Sequence, residues 1–445
     1  MNDKKRIGLV VSLGVAVILV MTAFPVRATI YSQESHEWYG QGKTAVYGVY
    51  AGNTDADAST EIVTVGEVYT GPMTGTKAQM NIWGWNSQTS QFSVEKTKEW
   101  RNYGQTAVAV SVYVGDLDDD SANEMVTVGY GTNSGIYYNE LVIWEYVPLT
   151  MDYTAVETLG YVSGRMFNSV YATQIFGSDA LEIVVAGVDA GTPSEAILHM
   201  FTYEDDSISL DASADPWSPN DGDANAKGVY AEDVDGDSTV EILTAGYIHD
   251  IYDDLWAHVM VFSYSDGELE REDIDGYAWN AGYDEAEALS VFAADVGSGD
   301  IEIVTCGNVF DSGISSGDLE ILTHSGSAIG YDRRATPWQY SSGEDTECPS
   351  VYVGDLDGTS PLDIVTGGKA VASGDVHGQI RVWNYGTYPD IDLVDTEEWR
   401  TYDDTEAHSV FVGNVDSDNP VEMVTGGEAY DGTRIRAQLR IWYWS

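Results

Sequence analysis

One phrase of about 18 residues occurs seven times in this chain of 445 residues, and it limits the possible folds more than any other feature. Its clearest copy runs from Val229 to Gly246 (VYAEDVDGDSTVEILTAG), where an apolar run enters a short acidic loop and a β-branched run leaves it. Copies that follow one another about every 60 residues indicate a repeat architecture, in which each repeat is one supersecondary unit. The copies begin at Val49, Val112, Val170, Val229, Val291, Val351 and Val410.

The acidic loop carries side-chain oxygens at its first, third, fifth and ninth positions. Carboxylates at alternate positions of a tight turn converge on one point, and this arrangement favours a hard cation such as Ca²⁺. Five copies keep at least three oxygen ligands at this spacing. Their candidate metal ligands are Asn53, Asp55, Asp57, Glu61, Asp116, Asp118, Asp120, Glu124, Asp233, Asp235, Asp237, Glu241, Asp355, Asp357, Asp363, Asn414, Asp416, Asp418 and Glu422.

The other two copies are expected to bind metal poorly or not at all. The third has Gln174 and Phe176 at the first and third positions, and the fifth keeps Asp295 but has Gly297 and Gly299 after it. Asp and Asn also favour turns without any metal. For a single copy, turn chemistry therefore remains an alternative to metal binding, but five recurrences favour Ca²⁺.

Each copy contains four strand-like segments, separated by turn residues, and the third and fourth mostly end on an aromatic residue. Four short strands per repeat are typical of a β-propeller blade. The segment from Ser32 to Trp38 is similar to the fourth-strand phrases that end at Trp100 and Trp399. We therefore expect it to complete the blade formed by residues 410–445, which would remove a free sheet edge.

The loop spacing and the apolar strand after it resemble the FG-GAP/VCBS repeat of integrin-α-like β-propellers. The resemblance extends over nearly all of the chain after residue 28. It implies an all-β fold: a seven-bladed β-propeller over residues 29–445, with four strands per blade, closed by the N-terminal strand completing the C-terminal blade. It also implies Ca²⁺ in the acidic loops.

This chain departs from that family at the sixth loop position, where the family usually has glycine. A non-glycine residue in a left-handed conformation costs on the order of 1 kcal/mol. We therefore expect a modest Ca²⁺ affinity, with a dissociation constant of about 10⁻⁴ to 10⁻³ M. The residues at this position are Ala58, Ser121, Ser238, Ser360 and Asn419.

Residues 1–28 are predicted to be either a signal peptide or an N-terminal membrane anchor. Three basic residues precede an apolar run from Ile7 to Phe24, and small residues stand at the places required for cleavage after Ala28. The run is long for a signal peptide and short for a membrane span, so both alternatives remain open. Either one predicts an extracellular or cell-surface location for the rest of the chain.

The net charge of −53 limits the possible partners. Without the first 28 residues, 16 bases and 72 acids leave a charge of −56. Such a chain repels nucleic acid and anionic lipid surfaces unless a cation bridges them. We expect no nucleic-acid partner, and membrane contact only through an uncleaved N-terminal segment.

The two cysteines, Cys306 and Cys348, fit either a disulfide or two buried thiols.

Two further sets of residues occupy fixed places in the repeat. Glu287, Glu347 and Glu406 stand four residues before the anchor valine of the last three copies. A solvated rim, a site for a cation or cationic ligand, and a catalytic carboxylate pair remain alternatives for them.

The second set is one aromatic residue per copy, which we expect to pack between blades, with stacking on sugars as the alternative. Its members are Tyr50, Tyr113, Tyr171, Tyr230, Phe292, Tyr352 and Phe411.

The sequence shows no enzyme signature, because its seven histidines share neither a metal-ligand spacing nor a repeat register. Scaffold, export and family resemblance together predict an exported calcium-binding β-propeller that acts as a binding module for a surface protein or glycan. A secreted carbohydrate-active enzyme, either a polysaccharide lyase or a hydrolase, remains an alternative. A self-assembling envelope component is the third possibility.

Overall fold

A computed structural model describes residues 29–55, 57–72, 74–177, 180–204, 206–217, 222–249, 254–272, 276–280, 282–297, 299–339, 344–416 and 421–445. The expected signal peptide or anchor and the candidate ligand Asp418 lie outside these residues. The described part contains 29 β-strands and no α-helix, so the expected all-β class is confirmed. It therefore has no helix that is long and apolar enough to cross a membrane.

The strands pair antiparallel in groups of four that follow the sequence repeats, and each group is called a sheet here. The first two groups are also joined by one parallel pair, Thr76 with Thr106. The first strand, β1, is Ile30–Trp38. Sheet 1 contains β2 (Thr44–Gly52), β3 (Glu61–Tyr69), β4 (Thr76–Asn86) and β5 (Gln91–Trp100). Sheet 2 contains β6 (Thr106–Gly115), β7 (Glu124–Asn133), β8 (Ile136–Val147) and β9 (Asp152–Ser163). Sheet 3 contains β10 (Arg165–Thr173), β11 (Glu182–Asp189), β12 (Glu195–Glu204) and β13 (Ser207–Trp217).

The second half of the chain repeats this pattern. Sheet 4 contains β14 (Ala224–Glu232), β15 (Glu241–His249), β16 (Leu255–Ser265) and an outer edge in two pieces, β17 (Glu268–Arg271) and β18 (Tyr277–Trp279). Sheet 5 contains β19 (Glu285–Ala294), β20 (Glu302–Asp311), β21 (Ile314–His324) and β22 (Ile329–Arg334). Sheet 6 contains β23 (Thr346–Gly354), β24 (Asp363–Ala372), β25 (Asp375–Asn384) and β26 (Asp392–Trp399). Sheet 7 contains β27 (Asp404–Gly413), β28 (Glu422–Tyr430), β29 (Ile435–Trp444) and the N-terminal β1.

The two ends of the described chain meet in sheet 7. Strand β1 pairs antiparallel with β29, from Ile30 opposite Trp444 to Trp38 opposite Ala437. The amide of Thr29 donates a hydrogen bond to the carbonyl of Ser445 at 2.8 Å. The sheet order β27-β28-β29-β1 therefore supplies the outer strand that residues 404–445 lack by themselves.

At five of the boundaries between neighbouring sheets, the first strands are joined by a repeated hydrogen bond. In each case the anchor valine amide donates to a serine hydroxyl of the preceding sheet, and the serine follows a β-bulge. The same bond joins sheet 1 to sheet 7. These bonds run from Val170 to Ser111, Val229 to Ser169, Val351 to Ser290, Val410 to Ser350 and Val49 to Ser409, with N–O distances of 3.3, 3.2, 3.3, 3.0 and 3.2 Å.

The aromatic residue after each anchor valine packs against its equivalents in the two adjacent sheets. The contacts continue through all seven sheets and return to the start, because Phe411 contacts Tyr50 at 5.1 Å between ring centroids. These rings therefore pack between sheets, which is the arrangement expected for this position. The consecutive distances are 5.0 Å for Tyr50–Tyr113, 5.2 Å for Tyr113–Tyr171, 4.3 Å for Tyr171–Tyr230, 4.2 Å for Tyr230–Phe292, 4.6 Å for Phe292–Tyr352 and 4.9 Å for Tyr352–Phe411.

The tryptophan at the end of a fourth strand joins its sheet to the third strand of the next. Its indole N–H donates to a side-chain oxygen there, as from Trp338 to Gln379 at 3.0 Å and from Trp399 to Gln438 at 2.7 Å. Trp38 on β1 makes this bond to Gln79 of sheet 1 at 2.7 Å. The N-terminal strand thus occupies the place of a fourth strand in side-chain contacts as well as in backbone pairing.

The core consists of apolar layers between adjacent sheets. Second strands such as β15 are buried on both faces, whereas outer strands such as β5 are mostly exposed. This explains why the second strands contain continuous β-branched runs rather than alternating patterns. One such layer packs Ile62 and Trp83 of sheet 1 against Phe411 and Leu439 of sheet 7.

Candidate metal centres and ligand cleft

The acid that ends the loop stands at the ninth position in six copies and at the eighth in the fifth copy, and it forms the same contact in all seven. Its carboxylate is buried and accepts a hydrogen bond from the amide at the second position, including in the third and fifth copies. This contact closes the hairpin and does not depend on a metal. The pairs are Thr54–Glu61, Leu117–Glu124, Ile175–Glu182, Val234–Glu241, Val296–Glu302, Leu356–Asp363 and Val415–Glu422, at 2.8, 2.8, 2.5, 2.9, 3.0, 3.1 and 3.0 Å.

The first loop position also accepts hydrogen bonds from the loop backbone. In the fourth copy, Asp233 accepts from the amides of Gly236 at 2.8 Å and Ser238 at 3.0 Å. In the second copy, Asp116 accepts from the amides of Asp120 at 3.1 Å and Ser121 at 3.0 Å. A carboxylate has about four acceptor sites, so these bonds fix its orientation and leave capacity for a cation.

Four loops bring three carboxylates to one point. In each, one oxygen from every member lies within 4.8 Å of the others. The second, fourth and sixth copies use positions one, three and nine, and the first copy uses positions three, five and nine because Asn53 stands at position one. The groups are Asp116, Asp118 and Glu124; Asp233, Asp235 and Glu241; Asp355, Asp357 and Asp363; and Asp55, Asp57 and Glu61.

The fifth position plays a different part in the second and fourth copies. Asp120 Oδ1 accepts the amide of Ala122, and Asp237 Oδ1 accepts the amide of Thr239, both at 2.7 Å. Neither carboxylate belongs to the convergent group of its loop. The equal spacing of acids in the sequence thus hides two roles, since a side chain two residues before an amide also forms a local turn.

Two of these loops contain a buried oxygen without a hydrogen-bond donor in the described residues. Asp118 Oδ1 and Asn53 Oδ1 are shielded from solvent and accept no hydrogen bond within the described part of the chain. Unpaired buried acceptors are costly. Together with the all-oxygen donor set, they fit Ca²⁺, which takes six to eight oxygen ligands.

The convergent acids also raise the pKa of the ninth position. Burial raises it to about 8 for Glu124 and Glu241 and to about 7 for Glu61, and neighbouring loop acids add to the increase, although the backbone hydrogen bond opposes it. For Asp363 the same causes raise the pKa to about 6. A bound cation would favour the ionised forms of these groups.

The remaining three loops lack such a convergent group in their described residues. In the seventh copy, Asp416 Oδ2 accepts from the Tyr443 hydroxyl at 2.9 Å and lies 3.5 Å from Gln33 Nε2. Asn414 and Glu422 flank it, whereas Asp418 is not described. In the third copy, Phe176 packs on Tyr264 with a centroid distance of 4.5 Å. In the fifth, Asp295 Oδ1 accepts two glycine amides, each at 3.1 Å.

The three rim glutamates predicted from the sequence have basic or amide partners. Lys369 Nζ lies 3.2 Å from Glu347 and 3.5 Å from Glu406. Glu287 accepts from Asn308 at 2.9 Å, and Lys227 also acts on it electrostatically. Sequence reasoning missed Lys369 because this lysine lies on the second strand of its repeat, outside the register in which the acids recur.

The structure also contains a cleft that the repeat pattern did not indicate. Its volume is about 400 Å³, and it lies where the connection between β1 and β2 meets the connection between β28 and β29. Arg434 and Arg436 lie over the ring of Tyr39 at 4.3 and 4.6 Å, and half of Tyr39 is exposed. The cleft is lined by Gln41, Gly42, Lys43, Tyr430, Thr433, Arg434 and Ile435.

The two cysteines are free thiols in this structure. Both are buried, on β20 and β23 of neighbouring sheets. The Cys306 thiol donates to the carbonyl of Cys348 at 3.1 Å. Burial and the second thiol raise the pKa of Cys306 well above its usual value, so this thiol is protonated at neutral pH.

The strand pairing and the sheet contacts described above define a β-propeller. No family model matches the sequence, and no curated protein matches it. Among solved structures, similar chains include Sqt1 from Chaetomium thermophilum (TM-score 0.48, 11% identity, 93% of this chain and 98% of that one) and the complex of Drosophila Plexin A with Semaphorin 1b (0.44, 10%, 90% and 88%). A third is the β-propeller domain of the Trilobed protease from Pyrococcus furiosus (0.41, 10%, 89% and 94%).

Proposed function

We propose that this chain is an exported, calcium-stabilised β-propeller that binds a surface protein or glycan. The observation that carries the proposal is the convergence of three carboxylate oxygens within 4.8 Å in each of four equivalent loops. One acid of each group is buried, and repulsion among close like charges makes such groups unfavourable without a cation or protons. A repeated hard-oxygen site in a chain predicted to be exported fits the calcium-rich exterior.

The proposal includes seven blades of the FG-GAP/VCBS type, closed by β1. Three features support the closure: the pairing of β1 with β29, the Trp38–Gln79 hydrogen bond and the contact of Phe411 with Tyr50. Removing residues 437–445 would delete most of β29 and leave β1 without its partner. We expect that truncation to abolish cooperative unfolding, and a truncated chain that melts like the full one would contradict the closure.

The proposed calcium ligands are the four convergent groups, with backbone carbonyls and water completing each shell. The ion would supply positive charge that holds the acids in their ionised form and cross-links the two strands that flank the loop. In the seventh copy, Asn414, Asp416, Asp418 and Glu422 remain a weaker candidate set. The ion has no proposed part in a reaction.

The proposed ligand surface is the cleft between sheets 7 and 1. It combines a concave volume of about 400 Å³ with the bases Lys43 and Arg434 in a chain that is otherwise strongly acidic. Lys43 lies 3.2 Å from Glu67 and 3.4 Å from Glu428, whereas Arg434 lies 3.9 Å from its one ion-pair neighbour within the described residues, Asp431, so Arg434 is the more weakly paired base. Exposed tyrosines around a basic group suit adaptable contacts to a glycan or a peptide.

The test is retention of the full-length protein on immobilised envelope polysaccharides and surface proteins, first with calcium and then with chelator. Arg434→Gln should weaken retention, whereas Arg101→Gln, a change at the corresponding surface of sheet 1, should not. Cleavage of a bound polysaccharide would favour the enzyme alternative. Retention of neither class, together with concentration-dependent assembly, would favour the envelope component.

A further inference from the structure

Three metal-ligating side chains from two neighbouring sheets converge at a place that the repeat does not predict. Asp235 belongs to the acidic loop between β14 and β15 of sheet 4. Glu272 follows β17 at the outer edge of the same sheet, and His324 is the last residue of β21 in sheet 5. One donor atom of each lies within 4.8 Å of the other two.

The imidazole and the glutamate are held close together away from solvent. The side chain of His324 is fully buried, and that of Glu272 is 14% exposed. His324 Nε2 lies 3.2 Å from Glu272 Oε2, and this oxygen accepts no hydrogen bond within the described residues although it is shielded from solvent. The Glu272 amide donates to the carbonyl of Val261 at 3.1 Å, which fixes the backbone at this point.

A glycine in sheet 5 leaves space for the third side chain. A Cβ added at Gly326 would lie 2.7 Å from Asp235 Oδ2, and the φ of +74° at this residue also favours glycine. The other oxygen, Oδ1, accepts the amide of Asp237 at 3.1 Å in the acidic loop. The two oxygens of Asp235 therefore lie toward two different sheets.

We propose that Asp235, Glu272 and His324 bind a divalent cation of the zinc class at the boundary between sheets 4 and 5. An imidazole ligand favours zinc and its neighbours over calcium, which prefers oxygen alone. Two ligands at about 2.0 to 2.1 Å from a tetrahedral zinc ion stand about 3.3 Å apart, close to the 3.2 Å between His324 and Glu272.

The ion would cross-link two neighbouring sheets. Three protein ligands leave the fourth position of a tetrahedral ion for water or for a ligand oxygen. The site does not rest on the calcium proposal, because Glu272 and His324 belong to no acidic loop. Only Asp235 would be shared between the two ions.

The competing arrangement is an internal hydrogen bond. The Gly326 amide lies 3.4 Å from His324 Nδ1, and a donor there puts the imidazole proton on Nε2, which would then donate to Glu272. Metal binding through Nε2 requires the proton on Nδ1 and the opening of this long contact. The two arrangements therefore differ in whether Nε2 of His324 binds a metal ion, and a metal titration measures this.

The experiment is titration of the full-length protein with Zn²⁺ in excess Ca²⁺, which occupies the acidic loops first. We expect one strong equivalent for the wild type and for His199→Gln. His199 is the matched control because it is a partly buried imidazole on β12 that packs beside Phe167 and Phe201. His324→Gln and Glu272→Gln should each weaken binding by about 100-fold or more, since loss of even an outer partner costs 10- to 100-fold.

A second measurement uses the wild type, so its result does not depend on whether the variants fold. Co²⁺ added to the wild type should give the intense visible absorption of a tetrahedral site and should be displaced by one equivalent of Zn²⁺. Asp235→Asn should lose zinc and also weaken one calcium site. Zinc uptake by His324→Gln equal to that of the wild type, or no stoichiometric uptake by the wild type, would overturn the proposal. Loss of calcium binding alone would not contradict the zinc proposal.

Discussion

The loops of the second and third copies have the same closing contact but a different acid content. In both, a buried glutamate accepts the amide at the second position, from Leu117 to Glu124 at 2.8 Å and from Ile175 to Glu182 at 2.5 Å. In the second copy the glutamate converges with Asp116 and Asp118, whereas the third copy has Phe176 at the third position. Hairpin closure and the convergence of acids are therefore separable properties of one loop.

The difference shows which positions carry information about a cation. The acid that ends the loop carries little of this information, because it is buried in all seven copies whatever the other positions contain. In the second, fourth and sixth copies, the first and third positions carry most of this information, since they complete the convergent group. A count of acids alone would overestimate the ligands, because Asp120 and Asp237 lie outside the convergent groups of their loops.

The largest expected effect is loss of the closing contact in a loop without a cation site. Glu182→Ala leaves a buried amide without its acceptor, which costs about 1–3 kcal/mol, and creates a small cavity in addition. We expect chemical denaturation to show a loss of about 2–3 kcal/mol that is the same in calcium and in chelator. A loss that appears only in calcium would mean that the third loop also binds metal.

The second loop should respond to calcium where the fifth does not. Asp118→Asn removes a convergent ligand, and Asp295→Asn is its control because Asp295 accepts two glycine amides and belongs to no convergent group within the described residues. With a dissociation constant 10- to 100-fold below the calcium concentration, one site contributes about 1.4–2.7 kcal/mol. Calorimetric titration should show one site fewer for Asp118→Asn and no change for the control.

The same comparison predicts how stability depends on pH. In chelator, the folded pKa of Glu124 and Glu241 is about 8, well above the ordinary value of 4.5. The native state therefore holds more protons than the unfolded state between pH 4.5 and 8, so this stabilisation is complete below pH 4.5 and is lost as the pH rises through 8. Melting temperatures measured in chelator should fall over this window and fall less in calcium.

A double variant tests the source of this dependence. Glu124→Gln and Glu241→Gln keep an acceptor oxygen for the second-position amide but cannot ionise. Their combination should flatten the pH dependence in chelator. An unchanged slope would assign it to other buried acids, such as Glu320, whose pKa burial and Asp318 raise to about 8.

The repeat allowed much of the fold to be predicted, because strand period and turn chemistry are local properties. The pairing of residues 30–38 with the last strand followed from one phrase that ends on Trp38. The convergence of Asp116, Asp118 and Glu124 likewise followed from spacing within a single loop.

Features that depend on contacts between repeats were not predicted. Lys369 lies between two rim glutamates of different sheets, and His324 meets Glu272 across a sheet boundary. Neither Lys369 nor His324 lies at a position where the acidic residues of the repeat recur. The hydrogen bond of Asp120 to the Ala122 amide was also missed, because the same residue type at the same spacing satisfies a local amide as readily as a cation.

The smallest expected effect concerns the sixth loop position. Ser121 and Ser238 have φ values of +74° and +75°, in the left-handed region that favours glycine, whereas Ala58 has no positive φ. Replacing either serine by glycine should remove strain of about 1 kcal/mol and tighten calcium binding by up to about fivefold. Ala58→Gly should instead destabilise slightly, because it only increases the freedom of the unfolded chain. Equal effects at the three positions, measured by calcium titration, would show that backbone strain does not set the affinity of these loops.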